Sequence, residues 1–234
     1  MEENSLVFLF TQVGFNFKKP VLGSEGLFVD INTAFAGDFG ENPNVNPVPF
    51  IGNDKRLLDT PVVTASTNDG LFELKIARGR IDLFRNARAE ESSYEETHEN
   101  LMTNLTKLLQ VLDGKVEVDW IGFINNYIFS GDVKKCSDKL FNSSVVNING
   151  GETSTYFMRH ANVLNIHDIP SNNQISVGTG SSKQNGGEKI DGLIITQDFN
   201  SKPTPSNVDV AFVESYINEA KELIKIDEIV TLIS

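Results

Sequence analysis

The chain has 234 residues, 39% hydrophobic and 22% charged, with a formal net charge of -12. A disordered chain is excluded by that balance, and the length suffices to bury a core without covalent staples. The acidity counts against general nucleic-acid binding, whose affinity comes from Lys and Arg neutralising phosphates. The single cysteine, Cys136, rules out an internal disulfide and fits a reducing, cytoplasmic setting. The apolar run Leu6 to Phe10 is too short and lacks the basic leader of a signal peptide. No stretch approaches the roughly 20 apolar residues of a membrane span.

In chain order, Ser5 to Phe17 is β-branched and aromatic-rich and reads as a strand. Ser24 is placed to cap a helix carrying Phe28, Ile31 and Phe35, which Gly37 and Gly40 end. Residues 41–61, rich in Pro, Asn and Gly, read as a long loop. Gly70 to Ala77 and Arg80 to Arg85 read as a hairpin, with Gly79 supplying a positive φ at the turn. Ser93 and Glu96 form a capping box before a helix whose Leu101, Leu105, Leu108, Leu109 and Leu112 share one face. Asp113-Gly114 stops that helix. Val116 to Phe129 is apolar on both faces from Trp120 onward, which places it centrally in a sheet.

The second half follows the same grammar. Asp132 to Phe141 reads as a short helix and Thr153 to Ile166 as a strand. Gln174 to Gly180 and Lys189 to Phe199 read as a hairpin around Asn185-Gly186-Gly187, followed by a helix over 207–225 and further helical turns to Ser234. These elements predict an α+β fold with a mostly antiparallel sheet. Two similar lobes are expected, an N-terminal one over 1–130 and a C-terminal one over 131–234, sharing a sheet or packed together.

The chemistry-bearing residues are scattered. His98, His160 and His167 form no Cys/His cluster, so no metal and no cofactor are expected. Cys136 has no histidine partner nearby in sequence, and the run Gly178 to Lys183 lacks the ending of a phosphate-binding loop. Arg78, Arg80, Arg85 and Arg88 crowd one hairpin. They read either as a clamp for phosphate or carboxylate, or as a salt-bridged surface facing Glu90, Glu91, Glu95 and Glu96. Asn125 and Asn126 interrupt an apolar strand, and one must point to each face.

Two resemblances follow from these residues. Glu73-Leu74-Lys75 on a strand, with Asp59 fourteen positions earlier, resembles the D…E-x-K pattern of restriction-endonuclease-like nucleases. That likeness implies Mg²⁺ held by Asp59 and Glu73, with Lys75 activating water. Here Glu73 falls on the second of three strands, where that family has it on the third. The run Gly70 to Phe129, with L-F-E-L-K, R-I-D-L-F-R-N-A-R and I-N-N-Y-I, resembles a sporadically distributed family of uncharacterised bacterial proteins of about this length. Its patchy occurrence implies a setting among mobile elements or phage defence, and implies no activity. With no convergent catalytic set, the leading expectation is a non-catalytic protein-binding or regulatory protein, with a protein partner or homo-oligomer. A small-molecule sensor with a pocket near Trp120 and Asn125 is the other alternative to a nuclease.

Overall fold

A computed structural model describes residues 5–40, 43–46, 55–88, 94–132, 157–201 and 209–223. The elements are β1 Ser5–Phe17, α1 Ser24–Ala34, β2 Asn44–Val45, α2 Lys55–Leu58, β3 Pro61–Ser66, β4 Phe72–Ala77 and β5 Arg80–Asn86. They continue with α3 Tyr94–Leu112, β6 Val118–Ser130, β7 Phe157–Ile166, β8 Ile169–Ser182, β9 Ile190–Ser201 and α4 Val210–Glu222. The strands form one nine-stranded antiparallel sheet in the order β2-β3-β4-β5-β1-β6-β9-β8-β7. The fold is therefore α+β. No helix among the described residues is long and apolar enough to cross a membrane.

That order is symmetrical about the central β1–β6 pair: β5, β4 and β3 follow β1 outward, and β9, β8 and β7 follow β6. The centre of symmetry lies at Gly14 and Gly122, which are register partners. Each is followed by phenylalanine and preceded by a β-branched residue, Val13-Gly14-Phe15 and Ile121-Gly122-Phe123. On the outer side of each glycine, Asp82 pairs with Gly14 and Asn200 with Gly122. The second series of strands opens with β6, so a division at residues 130 and 131 falls after its first strand.

Alternation along the strands sorts side chains onto two faces. Val13, Phe15, Leu74, Ile76, Ile81, Leu83, Ile121, Phe123 and Phe199 are buried in one cluster with Leu27 and Ile31 of α1, the leucines of α3, and Val213, Tyr216 and Ile217 of α4. All three longer helices thus cover the same face. Leu101, Leu105, Leu108, Leu109 and Leu112 are buried as their spacing predicts, and Gly114 ends α3 with φ 68°.

Several local expectations are corrected. Gly79 does not have the positive φ expected of the β4–β5 turn. Space there is tight instead, since a Cβ would lie 3.1 Å from Leu58 Cβ and from Asp59 Oδ1. Ser24 is the first helical residue and not the cap; Gly23 holds the cap position. The first strand of the expected hairpin, Gln174 to Gly180, does pair with β9 but is longer, since β8 runs from Ile169 to Ser182. His167 belongs to a two-residue turn with Asp168, where both have positive φ (49° and 60°). The expected helix over 132–141 beyond its first residue, the start of the strand at Thr153, the cap at Ser93, Cys136 and the chain beyond residue 223 lie outside the described residues.

Candidate functional site

The face away from the helices centres on Gly14 and Gly122. Without side chains there, the neighbours lean in: a Cβ on Gly14 would lie 2.5 Å from Asp82 Oδ1, and one on Gly122 would lie 3.2 Å from both Asn200 Oδ1 and Trp120 Cζ3. Asp82 is nearly buried. It accepts hydrogen bonds from Arg80 Nε and Gln12 Nε2, each at 2.8 Å, and a further one from the Arg80 guanidinium. The Arg80 guanidinium lies 5.9 Å from the Trp120 ring centre. Between Arg80 and Trp120 in the register stands Asn16, 6% exposed, whose Oδ1 has no hydrogen-bond partner.

Across the centre, Asp198 accepts from Asn200 Nδ2 at 2.6 Å. Burial pushes its carboxyl above the ordinary carboxylate range, against the pull of that hydrogen bond and of the Arg159 and Arg80 charges. Asn126 donates to Thr196 Oγ1 at 2.8 Å, and Arg159 donates to Gln174 Oε1. Toward the β2 edge, Lys75 pairs with Glu73 at 3.2 Å and lies 4.4 Å over the Phe84 ring. The result is a face that carries charges of both signs, one tryptophan at its centre, and the apolar pair Phe10 and Phe84, whose rings lie 6.0 Å apart.

Parity divides the arginines that the sequence groups together. Arg80 faces this open surface. Arg85, five positions on, points to the helix side, where it is buried with its guanidinium 5.6 Å from the Phe72 ring. Arg78 lies in the β4–β5 turn, its carbonyl accepting from Val21 N. Arg88 pairs with Asp69 at 3.3 Å, at a bridge to Asn185. The four do not form one clamp. Glu90 and Glu91, expected to face them, lie outside the described residues.

Asp59 abuts Gly79 at one end of β4, while Glu73 stands near the other. From Glu73 to Ala77 alone the strand spans roughly 13 Å at about 3.3 Å per residue, and Asp59 lies beyond that end. Such a separation does not bring the two carboxylates onto one ion, and Glu73 is engaged by Lys75. Among the described residues, no three His, Cys, Asp or Glu side chains converge as a metal site would require.

Asn125 and Asn126 do take opposite faces. Trp120 shares the face of Asn126 and not of Asn125, so a single pocket cannot be lined by both Trp120 and Asn125. On the helix side, Asn125 belongs to a buried polar row across four strands: Arg85, Thr11, Asn125 and Gln197 are successive register partners. Sequence reading did not foresee this row, because its members lie as much as 186 positions apart (Thr11 to Gln197) and only strand pairing joins them.

His167 Nε2 lies 2.7 Å from Ser215 Oγ and 3.2 Å from Glu219 Oε2. Both partners share one ring nitrogen, so the acid cannot hold the far side of the ring as a relay to serine needs. These contacts tie the β7–β8 turn to α4. Comparison of the sequence with models of known families, and with curated proteins, finds no match.

Proposed function

We propose that this is a non-catalytic binding protein that engages a protein partner through the open face of its sheet. The observation that carries this reading is the Trp120–Arg80–Asp82 cluster over the Gly14–Gly122 centre, on the face opposite all three longer helices. Trp and Arg are the residue types most enriched among those that dominate protein interfaces. Arg80, Lys75 and Arg159 are interspersed there with Glu73, Asp82 and Asp198, a pattern that complements a polar protein surface. A nucleic-acid backbone would call for one dominant positive sign, and the chain carries a net charge of -12. The sequence resemblance adds mobile-element or phage-defence systems as the expected setting.

The test is affinity capture from the native cell with wild type, Trp120→Ala, Arg80→Glu and a helix-side control, Asn218→Ala, all first shown to be folded. A stoichiometric protein recovered by wild type and control but lost from both open-face variants supports the reading. A partner retained by both variants, or none recovered at all, rejects it. Light scattering on the same samples shows whether a second copy of the chain is the partner.

A further inference from the structure

The nine-stranded sheet ends differently at its two edges. At one, β2 contributes only Asn44–Val45. At the other, β7 runs over Phe157–Ile166 and pairs on one side alone, with β8. The turn that joins them fixes which backbone groups β7 leaves unpaired. His167 and Asp168 both have positive φ, 49° and 60°, as in a two-residue hairpin turn, and Ile166 and Ile169 are register partners. Residues flanking such a turn exchange both of their hydrogen bonds, and the pattern alternates along the strand. Ile166, Leu164, Asn162 and His160 therefore bond to β8, while Asn165, Val163, Ala161 and Arg159 turn their N–H and C=O outward. Among the described residues, no other backbone meets those outward groups.

Open sheet edges are templates for another strand, and proteins blunt them with short strands, prolines, bulges or charges. The β2 edge is short. The β7 edge is long, lacks proline, and pairs with β8 throughout without a register shift; Arg159 is its only Asp, Glu, Lys or Arg. Arg159 to Val163 are exposed without a break, Val163 to 66%. His160 and Asn162 share the helix side with Leu164 and Ile166, yet both are exposed, so no described element overhangs the edge there. His167 ties the hairpin turn to Ser215 and Glu219 of α4, which holds the strand in place.

Charge and register both match this edge to a second copy of itself. The β7–β8 hairpin carries Arg159 and Asp168 and no other Asp, Glu, Lys or Arg, in a chain of net charge -12. Two such acidic chains repel each other, and they meet with little repulsion where these hairpins approach. Antiparallel pairing about a two-fold axis at Asn162 sets Ala161 opposite Val163, His160 opposite Leu164, and Arg159 opposite Asn165. Outward groups then meet outward groups, and no like charges face each other. A copy also brings a strand already ordered, where a free peptide would lose conformational freedom on pairing. We propose that β7 is a homodimerisation edge, at which two chains join their sheets antiparallel, β7 to β7, across a two-fold axis. Strands β8 and β9 separate this seam from Trp120 on β6, so it is independent of the open-face partner surface.

Sedimentation and light scattering over a concentration series should find the wild type dimeric, and hydrogen exchange at the Ala161 and Val163 amides should slow as the dimer forms. Val163→Pro removes an outward N–H and none of the bonds to β8, a change that edge strands tolerate. Val163→Lys sets two cations near the axis, at a side chain already exposed in the single chain. Each should weaken dimerisation at least tenfold, about 1.4 kcal/mol. Trp120→Ala and Arg80→Glu should leave the dimer intact. Should the proline variant fail to fold, the lysine variant and the exchange rates decide. A monomeric wild type overturns the proposal, as does a dimer that leaves exchange at Ala161 and Val163 unchanged or survives both Val163 substitutions. A dimer lost on changing Trp120 or Arg80 also overturns it, and would put the second copy on the open face instead.

Discussion

Gly14, Gly180 and Gly192 all sit within strands, yet a methyl group would meet something different at each. At Gly192 the nearest atoms are the carbonyl oxygen and carbon of Phe129, which are backbone and cannot step aside. At Gly180 they are the terminal carbons of Ile194, which can rotate away. At Gly14 the contact is the Asp82 carboxylate, held by Arg80 and Gln12. Alanine at Gly192 should therefore cost most, about 3 kcal/mol; at Gly180 least, under about 1 kcal/mol; with Gly14 between them. Urea unfolding of the three variants checks the order, and a costlier Gly180→Ala than Gly192→Ala would contradict it. Asp198 allows a test with a sign. Its carboxyl is held above the unfolded value chiefly by burial, so the folded state binds more protons than the unfolded state between the two values. Stability from this group is then greatest at low pH and falls as pH rises through the folded value. Asp198→Asn keeps an oxygen for Asn200 and removes the buried charge. It should melt above wild type at pH 7, with the gain shrinking toward the acid side; a variant less stable at pH 7 and equal in acid would reverse the sign.

At the scale of elements, α4 is held to the sheet by its apolar stripe and by two polar contacts. Tyr216 donates to Ser171 Oγ at 3.0 Å, and Ser171 in turn donates to the Ile169 carbonyl. Burial pushes the Tyr216 phenol up to about 12. Its neutral form is thus favoured in the fold, and the associated stability, complete below the unfolded value of about 10, is lost as pH climbs toward 12. Tyr216→Phe should cost about 1 kcal/mol at neutral pH and flatten the alkaline fall in melting temperature relative to wild type. A difference independent of pH from 8 to about 12 would show that the phenol does not titrate with unfolding. The second contact comes from the β7–β8 turn, whose two residues both have positive φ. Such turns favour glycine at the second position. Asp168→Gly should raise stability by up to about 1 kcal/mol while leaving the His167 contacts to Ser215 and Glu219 in place. Most of these elements could be read in the sequence, because each depends on local signals: leucine spacing in α3, the Asp113-Gly114 stop, and the doubly apolar β6. Partition of Arg80 and Arg85 between faces was also readable from their odd spacing on one strand. What local pattern cannot supply is the partner of each strand. The open-face centre joins β5, β1, β6 and β9, and the buried amides join β6 to β9.

For the molecule as a whole, the pairing of β1 with β6 over nearly their full lengths makes both halves of the chain parts of one sheet. The helix-side cluster is shared in the same way, with α3 and α4 contributing to one core that runs from Val63 on β3 to Ile166 on β7. Neither half retains a closed sheet edge once the other is removed: β1 and β6 would each expose a long, apolar, unpaired strand of the kind that aggregates. Unfolding should therefore be a single cooperative event. Trp120, the one tryptophan, lies on β6 at the junction, so its fluorescence reports the centre while far-ultraviolet dichroism reports all strands and helices. The two signals should give coincident urea midpoints and slopes. A dichroism change completed before the tryptophan responds would mean that the outer strands separate first, and that the central pair is a smaller stable unit than the shared core implies.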